Sequence, residues 1–278
     1  MTEATAESQF QLPPNSLAGK VVLLAGGSGG LGSSTAFLLA REGARLVVGY
    51  RSNRARAEAL RNSLTQFAGA VQLVEGDLNE AGVVEQYISQ AAKVGILTGL
   101  AVFVGDPARS GSSGPSESSE SSTDSETLRL ENSWKANFLG PYRLARRAAE
   151  QMVSQGTAGS IVLVATMQAI VPFEKSVAYA APKAALIHAA RVLAYEFGGA
   201  NNICVNVVAP GVTTAGMAQA SVASGKYERF VGDKIIPRYG RAEDVARVVR
   251  FLLEPDSYVT GQVITVDGGL TLRRGFSP

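Results

Sequence analysis

One cysteine and one histidine in 278 residues set the first limits on this chain. Cys204 has no second thiol for an internal disulfide, and its apolar run, Ile203–Ala209, suits a small buried hydrophobe. No cluster of histidine, cysteine and carboxylate has metal-ligand spacing, so no metal site is expected; His188 is read as a structural residue of a helix. Charge of one sign is scarce too. Lys and Arg number 26 against 24 Asp and Glu, a net of +2, and they are scattered. That leaves no basic stripe of the kind a nucleic-acid binder needs. No uninterrupted apolar stretch reaches the roughly 18 residues of a membrane span, and the polar opening residues do not form a secretory leader. The expectation is a cytoplasmic protein with no nucleic-acid or membrane partner.

Short apolar runs alternate with helical patterns along the chain. Strands are predicted at Val21–Ala25, Arg45–Tyr50, Val71–Glu75, Leu100–Val104, Ile161–Ala165, Ile203–Ala209 and Val263–Val266. Helices are predicted near Leu31–Glu42, Ala55–Phe67, Glu80–Ala92, Leu128–Ser154, Val177–Phe197 and Ala242–Leu253. Strands apolar on both faces and separated by helices imply a parallel sheet covered on each side. This is an α/β fold, a single Rossmann-type doubly wound sheet of about seven strands, with its ligand crevice at their carboxyl ends. One domain is expected over residues 17–278, after a disordered tail at 1–16. Residues 110–125 are more than half serine and cannot bury a core, so a flexible insertion is expected at about 107–127. It is either an inert surface loop or a lid over the substrate.

The most informative segment is Val21-Val-Leu-Leu-Ala-Gly-Gly-Ser-Gly-Gly-Leu-Gly32. It reads as strand, tight turn and helix. Gly26, Gly30 and Gly32 are read as positions with backbone angles closed to other residues, letting main-chain N–H groups approach a phosphate. A helix starting near Leu31 would aim its positive end there. Glycine turns of this kind also occur without a ligand. A second constellation is Tyr179-Ala-Ala-Pro-Lys183, whose phenol and amine stand four residues apart on one helix face. An ordinary surface pair has the same spacing.

In order and content these motifs resemble the short-chain dehydrogenase/reductase family from about Leu17 to Gly269, most of all its 3-oxoacyl-carrier-protein reductase-like branch. The glycine loop is similar to the family's T-G-x-x-x-G-x-G, with Ala25 for threonine. Asp77-Leu78 resembles its adenine-contacting pair and Asn137 its helix asparagine. Pro210-Gly211 resembles the loop flanking nicotinamide, and Asp267-Gly268-Gly269 its C-terminal motif. The resemblance implies catalysis by Asn137, Thr166, Tyr179 and Lys183, with Tyr179 exchanging a proton with the substrate oxygen. It implies cofactor contacts from Gly26, Gly27, Ser28, Gly29, Gly30, Leu31, Arg51, Ser52, Asp77, Leu78, Phe103, Tyr179, Lys183, Pro210, Gly211 and Thr213. Free tyrosine has a pKa of about 10, which a Lys183 ammonium and an oxidised nicotinamide would lower.

Three departures stand against the pattern. Thr166 holds the place of the catalytic serine, keeping a hydroxyl and adding a methyl. Phe103-Val104-Gly105-Asp106 replaces Asn-Asn-Ala-Gly, and Ala215 stands where a threonine often contacts the carboxamide, leaving Thr213 or Thr214 to substitute. The end of the second strand, Gly49-Tyr50-Arg51-Ser52-Asn53-Arg54, lacks the carboxylate that would hold a ribose 2′-hydroxyl, so NADP(H) is favoured over NAD(H). The expected activity is interconversion of a carbonyl and an alcohol on a small, largely apolar substrate held by residues 215–236 and 168–173. The expected assembly is a homotetramer or homodimer. The alternative is an inactive nucleotide-binding sensor or scaffold of the same fold.

Overall fold

The computed structural model describes residues 16–67, 70–107 and 122–273. The expected N-terminal tail and the centre of the serine-rich insertion lie outside them. The strands are β1 (Val21–Ala25), β2 (Arg45–Tyr50), β3 (Val71–Glu75), β4 (Leu97–Val102), β5 (Gly159–Val164), β6 (Ile203–Pro210) and β7 (Val263–Val266). They form one parallel sheet in the order β3-β2-β1-β4-β5-β6-β7. The order reverses between β1 and β4, and there the loops leaving the carboxyl ends part to make a crevice.

Each side chain along a strand points to the opposite face from its neighbour, so both faces need cover. Val21, Leu23 and Ala25 of β1 pack on one side with α3 (Val83–Val94), α5 (Gly140–Ser154) and α6 (Val177–Phe197). Val22 and Leu24 pack on the other with α1 (Gly30–Arg41), α2 (Arg54–Leu64) and α7 (Ala242–Leu252). Apolar residues of α7 at Val245, Val249 and Leu252 are fully buried, which fixes its inner face. Burying each such side chain is worth about 1.5–3 kcal/mol.

At the carboxyl ends of β2 and β3, Tyr87 of α3 locks the sheet. Its ring fills the space beside Gly49, where a Cβ would meet it at 2.2 Å. Its hydroxyl donates to Gly76 O at 3.1 Å, and burial pushes its pKa well up.

The boundaries differ from expectation in instructive places. β4 runs Leu97–Val102 rather than Leu100–Val104; Phe103 still donates its N–H to Ala25 O at 2.8 Å, but the chain then turns over the glycine loop. The helix expected at Leu128–Ser154 is α4 (Ser122–Trp134), a wide π turn at Lys135–Leu139, and α5. The serine-rich composition up to 127 therefore ends in helix. Pro141 explains part of the widening, since it has no N–H to offer the Asn137 carbonyl four residues back.

Candidate active site

The loop after β1 is shaped by close approach. Gly26 has φ +73°, as expected of it, but Gly30 and Gly32 have ordinary angles. What they need is the absence of a side chain. A Cβ on Gly32 would lie 2.6 Å from Gly26 O, and one on Gly30 would lie 2.5 Å from the backbone N of Gly216. Gly29 caps α1 without a side-chain hydrogen bond, and the first turn holds no acid. The N–H groups there are open toward an anion.

Beside this loop lies the end of β2. Arg51 is largely exposed, its Nη1 3.8 Å from Asp77 Oδ2. Ser52 is exposed, and Asn53 Oδ1 accepts from Arg56 N at 2.9 Å to begin α2. Leu78 is only 3% exposed and packs under Gly140, so of the Asp77-Leu78 pair only Asp77 reaches the crevice rim. A carboxylate does stand nearby, on the adjacent strand. Glu75 is in register with Tyr50 and accepts its hydroxyl at 2.9 Å. A reading confined to β2 had no signal for it.

At the other end, Thr166, Tyr179 and Lys183 line one cavity of about 680 Å³ together with Leu31, Phe103, Pro210, Gly211 and Thr213. Thr166, just past β5, hydrogen-bonds the Tyr179 phenol and accepts from Gln168 N at 3.3 Å. Burial pushes Tyr179 up to about 12; the Thr166 hydrogen bond acts against this and the charge of Asp106 adds to it. Lys183 is 2% exposed and donates to Val164 O at 3.0 Å and Val104 O at 3.1 Å. Burial holds it down at about 7. The expected lowering of Tyr179 by a Lys183 ammonium is therefore reversed in direction. Desolvation is the leading cause for each, and both groups are pushed toward their neutral forms.

Asn137 is fully buried behind the cavity. Its Oδ1 accepts from Asp106 N at 3.0 Å, and its Nδ2 donates to Asp106 O and Ser133 Oγ, each at 2.9 Å. Gly105 lies between it and Lys183; a Cβ there would sit 2.8 Å from Asn137 Oδ1 and 3.2 Å from Lys183 Nζ. The loop that departs from Asn-Asn-Ala-Gly is thus held through its backbone, by Ala25, Asn137 and Lys183. Ser133 was not foreseen. Its hydroxyl donates to Ala178 O, the carbonyl that Pro182 leaves without a helical donor.

The expected substrate-side segments do line the cavity, through Gln168, Phe173, Ala215, Met217 and Tyr227. Thr213, 4% exposed, also faces it while donating to Ala215 O at 3.0 Å. The lining is more charged than the expected apolar pocket, because Glu126, Arg129, Glu174 and Lys175 join it from outside those segments and Lys226 faces it from within 215–236. A second hollow, of about 120 Å³, lies at the amino ends of the strands near Leu17, Asn202 and Asp256, away from these groups. Among the described residues no helix is long and apolar enough to cross a membrane, and no group of three or more His, Cys, Asp or Glu side chains is placed to hold a metal.

This fold, with a glycine loop at one end of the crevice and Tyr179 and Lys183 at the other, is that of a nucleotide-dependent oxidoreductase, and the chain belongs to the short-chain dehydrogenase/reductase family. More particularly, residues 25–271 match the family model described as enoyl-(acyl carrier protein) reductase. The chain is 30% identical over 283 residues to an NADPH-dependent aldehyde reductase, chloroplastic, of Arabidopsis thaliana, with 96% of this chain and 99% of that one covered. It is equally 30% identical, over 268 residues, to the 3-oxoacyl-(acyl-carrier-protein) reductase FabG of Thermotoga maritima, covering 92% and 99%. A short-chain type dehydrogenase/reductase from Mycobacterium ulcerans superposes with a TM-score of 0.81 at 28% identity, covering 93% and 92%.

Proposed function

We propose that this chain interconverts a carbonyl and an alcohol with NADP(H), Tyr179 serving as the acid/base. The single observation behind the reading is that Tyr179, Thr166 and Lys183 line the same cavity as Pro210, Gly211 and Thr213, at the carboxyl ends of the central strands. The residues present fit a dinucleotide: α1 opens without cap or acid, and the glycine cradle has no room for a Cβ at Gly30 or Gly32.

In this reading Gly26, Gly27, Ser28, Gly29, Gly30 and Leu31 hold the phosphates, Arg51 and Ser52 the 2′-phosphate, and Asp77 the adenine. Leu78 supports that end from below, and Phe103, Pro210, Gly211 and Thr213 border the reactive ring. The nicotinamide, when bound, gives or takes the hydride. Thr166 donates a hydrogen bond to the substrate oxygen, and Tyr179 transfers the proton to that oxygen in reduction or accepts it in oxidation. Lys183, when protonated, holds ribose hydroxyls through the third N–H that its two carbonyls leave over. Asn137 keeps the loop at Gly105–Asp106 in place beneath it. The NADP(H) preference is supported by the missing acid after β2 and by the similarity to an NADPH-dependent relative.

Tyr179→Phe tests the reading directly. With a panel of ketones, diketones and acyl thioesters followed at the NADPH absorbance band, the variant is expected to lose at least about 100-fold in kcat while binding NADPH as before. Full turnover by the variant would remove the proposed proton path. A wild-type chain that binds NADPH tightly and is silent across the panel would instead be a nucleotide-binding sensor.

A further inference from the structure

The cavity carries charge that an apolar pocket does not need. Its lining holds Arg129, Lys175 and Lys226 against Glu126 and Glu174, three cations and two carboxylates, besides the buried Lys183 amine. Glu126 is drawn to Arg129 at 3.6 Å. Lys175 and Lys226 are exposed, and among the described residues neither has a carboxylate within ion-pair distance. One solvated lysine is ordinary. Two on the segments that wall a single cavity, each held by its neighbours, call for a ligand.

Lys175 stands in the turn between Phe173 and α6. Its φ is +55°, in the left-handed region that side chains avoid, and Ser176 Oγ donates to Phe173 O at 2.7 Å to hold the turn. Glycine or asparagine would fill the position with less strain. Of the described non-glycine residues with positive φ, Lys175 is the one that lines this cavity. Lys226 comes from the other wall, the segment 215–236. Its Nζ lies 5.6 Å from the centroid of the Tyr227 ring, and that ring stacks on Phe230 at 5.8 Å. The two walls meet, because Phe173 and Tyr227 both pack against the small apolar cluster of Met167, Val212, Ile236 and Leu270. Lys175 is two residues from Phe173 and Lys226 one from Tyr227, which brings both amines to the same end of the cavity.

We propose that the substrate is a carbonyl compound with an apolar body and a terminal carboxylate, and that Lys175 and Lys226 are the pair that receives the carboxylate. The inference rests on the carbonyl–alcohol reading above and names the substrate class. Phe173, Met217 and Tyr227 cover the body, while Thr166 and Tyr179 meet the carbonyl oxygen. A single excess cation in the lining suits a monoanion better than a phosphate dianion. In reduction the carbonyl carbon takes the hydride of NADPH, which leaves as NADP⁺, and the carbonyl oxygen takes the Tyr179 proton. The carboxylate is unchanged and serves as a remote handle that fixes the carbonyl in place.

The test is steady-state reduction by NADPH with the full chain, using ketones and aldehydes of graded chain length, each as its carboxylate and as its methyl ester. Acid and ester differ in charge and little in shape. The wild type is expected to prefer the acid by about 10-fold in kcat/KM at the best-fitting length, and added salt should narrow that preference. Lys175→Asn, which suits the positive φ, and Lys226→Gln should each narrow it by about 3-fold, through KM more than kcat, and the double variant should erase it. Equal kcat/KM for acid and ester in the wild type overturns the inference and leaves the carbonyl–alcohol reading standing. So does an acid preference untouched by both substitutions, or a loss that acid and ester share equally, which would make the lysines structural. A chain that binds NADPH and reduces no member of either series overturns that reading, and the inference with it.

Discussion

Pro182 sits inside α6, between Tyr179 and Lys183, and has no N–H for the carbonyl of Ala178 one turn earlier. Ser133 of α4 supplies the missing donor. Ala178, Ser133 and Asn137 are 5%, 3% and 0% exposed, so no water replaces that hydroxyl if it is removed. Ser133→Ala should therefore leave one buried carbonyl without a partner, at a cost of about 1–3 kcal/mol. It also takes an acceptor from Asn137 Nδ2, which keeps only Asp106 O. The better helix propensity of alanine returns about 0.5 kcal/mol, which leaves a net loss of about 2 kcal/mol. The same substitution made on a Pro182→Ala background should cost far less, because residue 182 then donates to Ala178 O as in any helix.

Urea unfolding of the four proteins, all at one concentration, measures this coupling, which is expected at about 1–2 kcal/mol. Equal costs of Ser133→Ala on the two backgrounds would show that Ser133 does not complete the helix around Pro182, and the account of how Asn137 and Tyr179 are held would fall with it. A second readout separates packing from position. Asp106 and Gly105 lean on Asn137, so Ser133→Ala should lower kcat while leaving NADPH affinity within about twofold, the scale of a sub-0.5 kcal/mol change.

Two more outcomes are expected. Lys183 is held down at about 7 from a usual value of 10.5. Between those values the unfolded chain binds a proton that the folded chain does not, so stability should rise with pH from 7 toward 10, by at most about 1.4 kcal/mol per pH unit; above 10 Tyr179, raised to about 12, acts in the opposite sense. Urea midpoints at pH 7 and pH 9 should show the rise in the wild type and a smaller one in Lys183→Met; identical slopes would place the amine in water. The edge strand β7 is only half-buried along its whole length, and Tyr258, Leu272, Tyr195 and Val177 are 103%, 80%, 90% and 60% exposed. We propose that these surfaces meet copies of the chain in a dimer or tetramer; light scattering at micromolar concentration should give a multiple of the 29.0 kDa chain mass, and a monomer alone would refute it.

Much of this was legible in the sequence because it is local. A strand buried on both faces must be largely apolar; β1 is so throughout, and β2 and β6 depart from it only at Arg45 and Gly49 and at Asn206. A phenol and an amine four apart on a helix must share a face, whatever that face meets. The rest depends on contacts between distant segments, which periodicity does not report. Gly49 reads as a loose residue in a strand until Tyr87 is seen filling its side-chain space. Gly30 and Gly32 read as turn glycines, but what they meet is Gly216 and Gly26. Ser133 had one available signal: a proline within a helical pattern implies a carbonyl in need of a donor from elsewhere. Nothing in the sequence said which hydroxyl would supply it.

The two groups expected to tune each other are instead tuned separately by burial, and this bears on how the proposed site works. Lys183 gives hydrogens to two carbonyls, at Val104 and Val164, with Gly105 at its tip. No cation figures among the groups acting on the Tyr179 phenol; burial and Asp106 raise its pKa, and only the Thr166 hydrogen bond opposes them. At neutral pH the phenol therefore keeps its proton. That is the state in which the proposed acid could donate to a carbonyl oxygen. Oxidation of an alcohol needs the phenolate, and to reach it the site must gain positive charge beside the phenol. The difference between the two directions then lies less in the positions of the side chains than in the charge of what occupies the crevice.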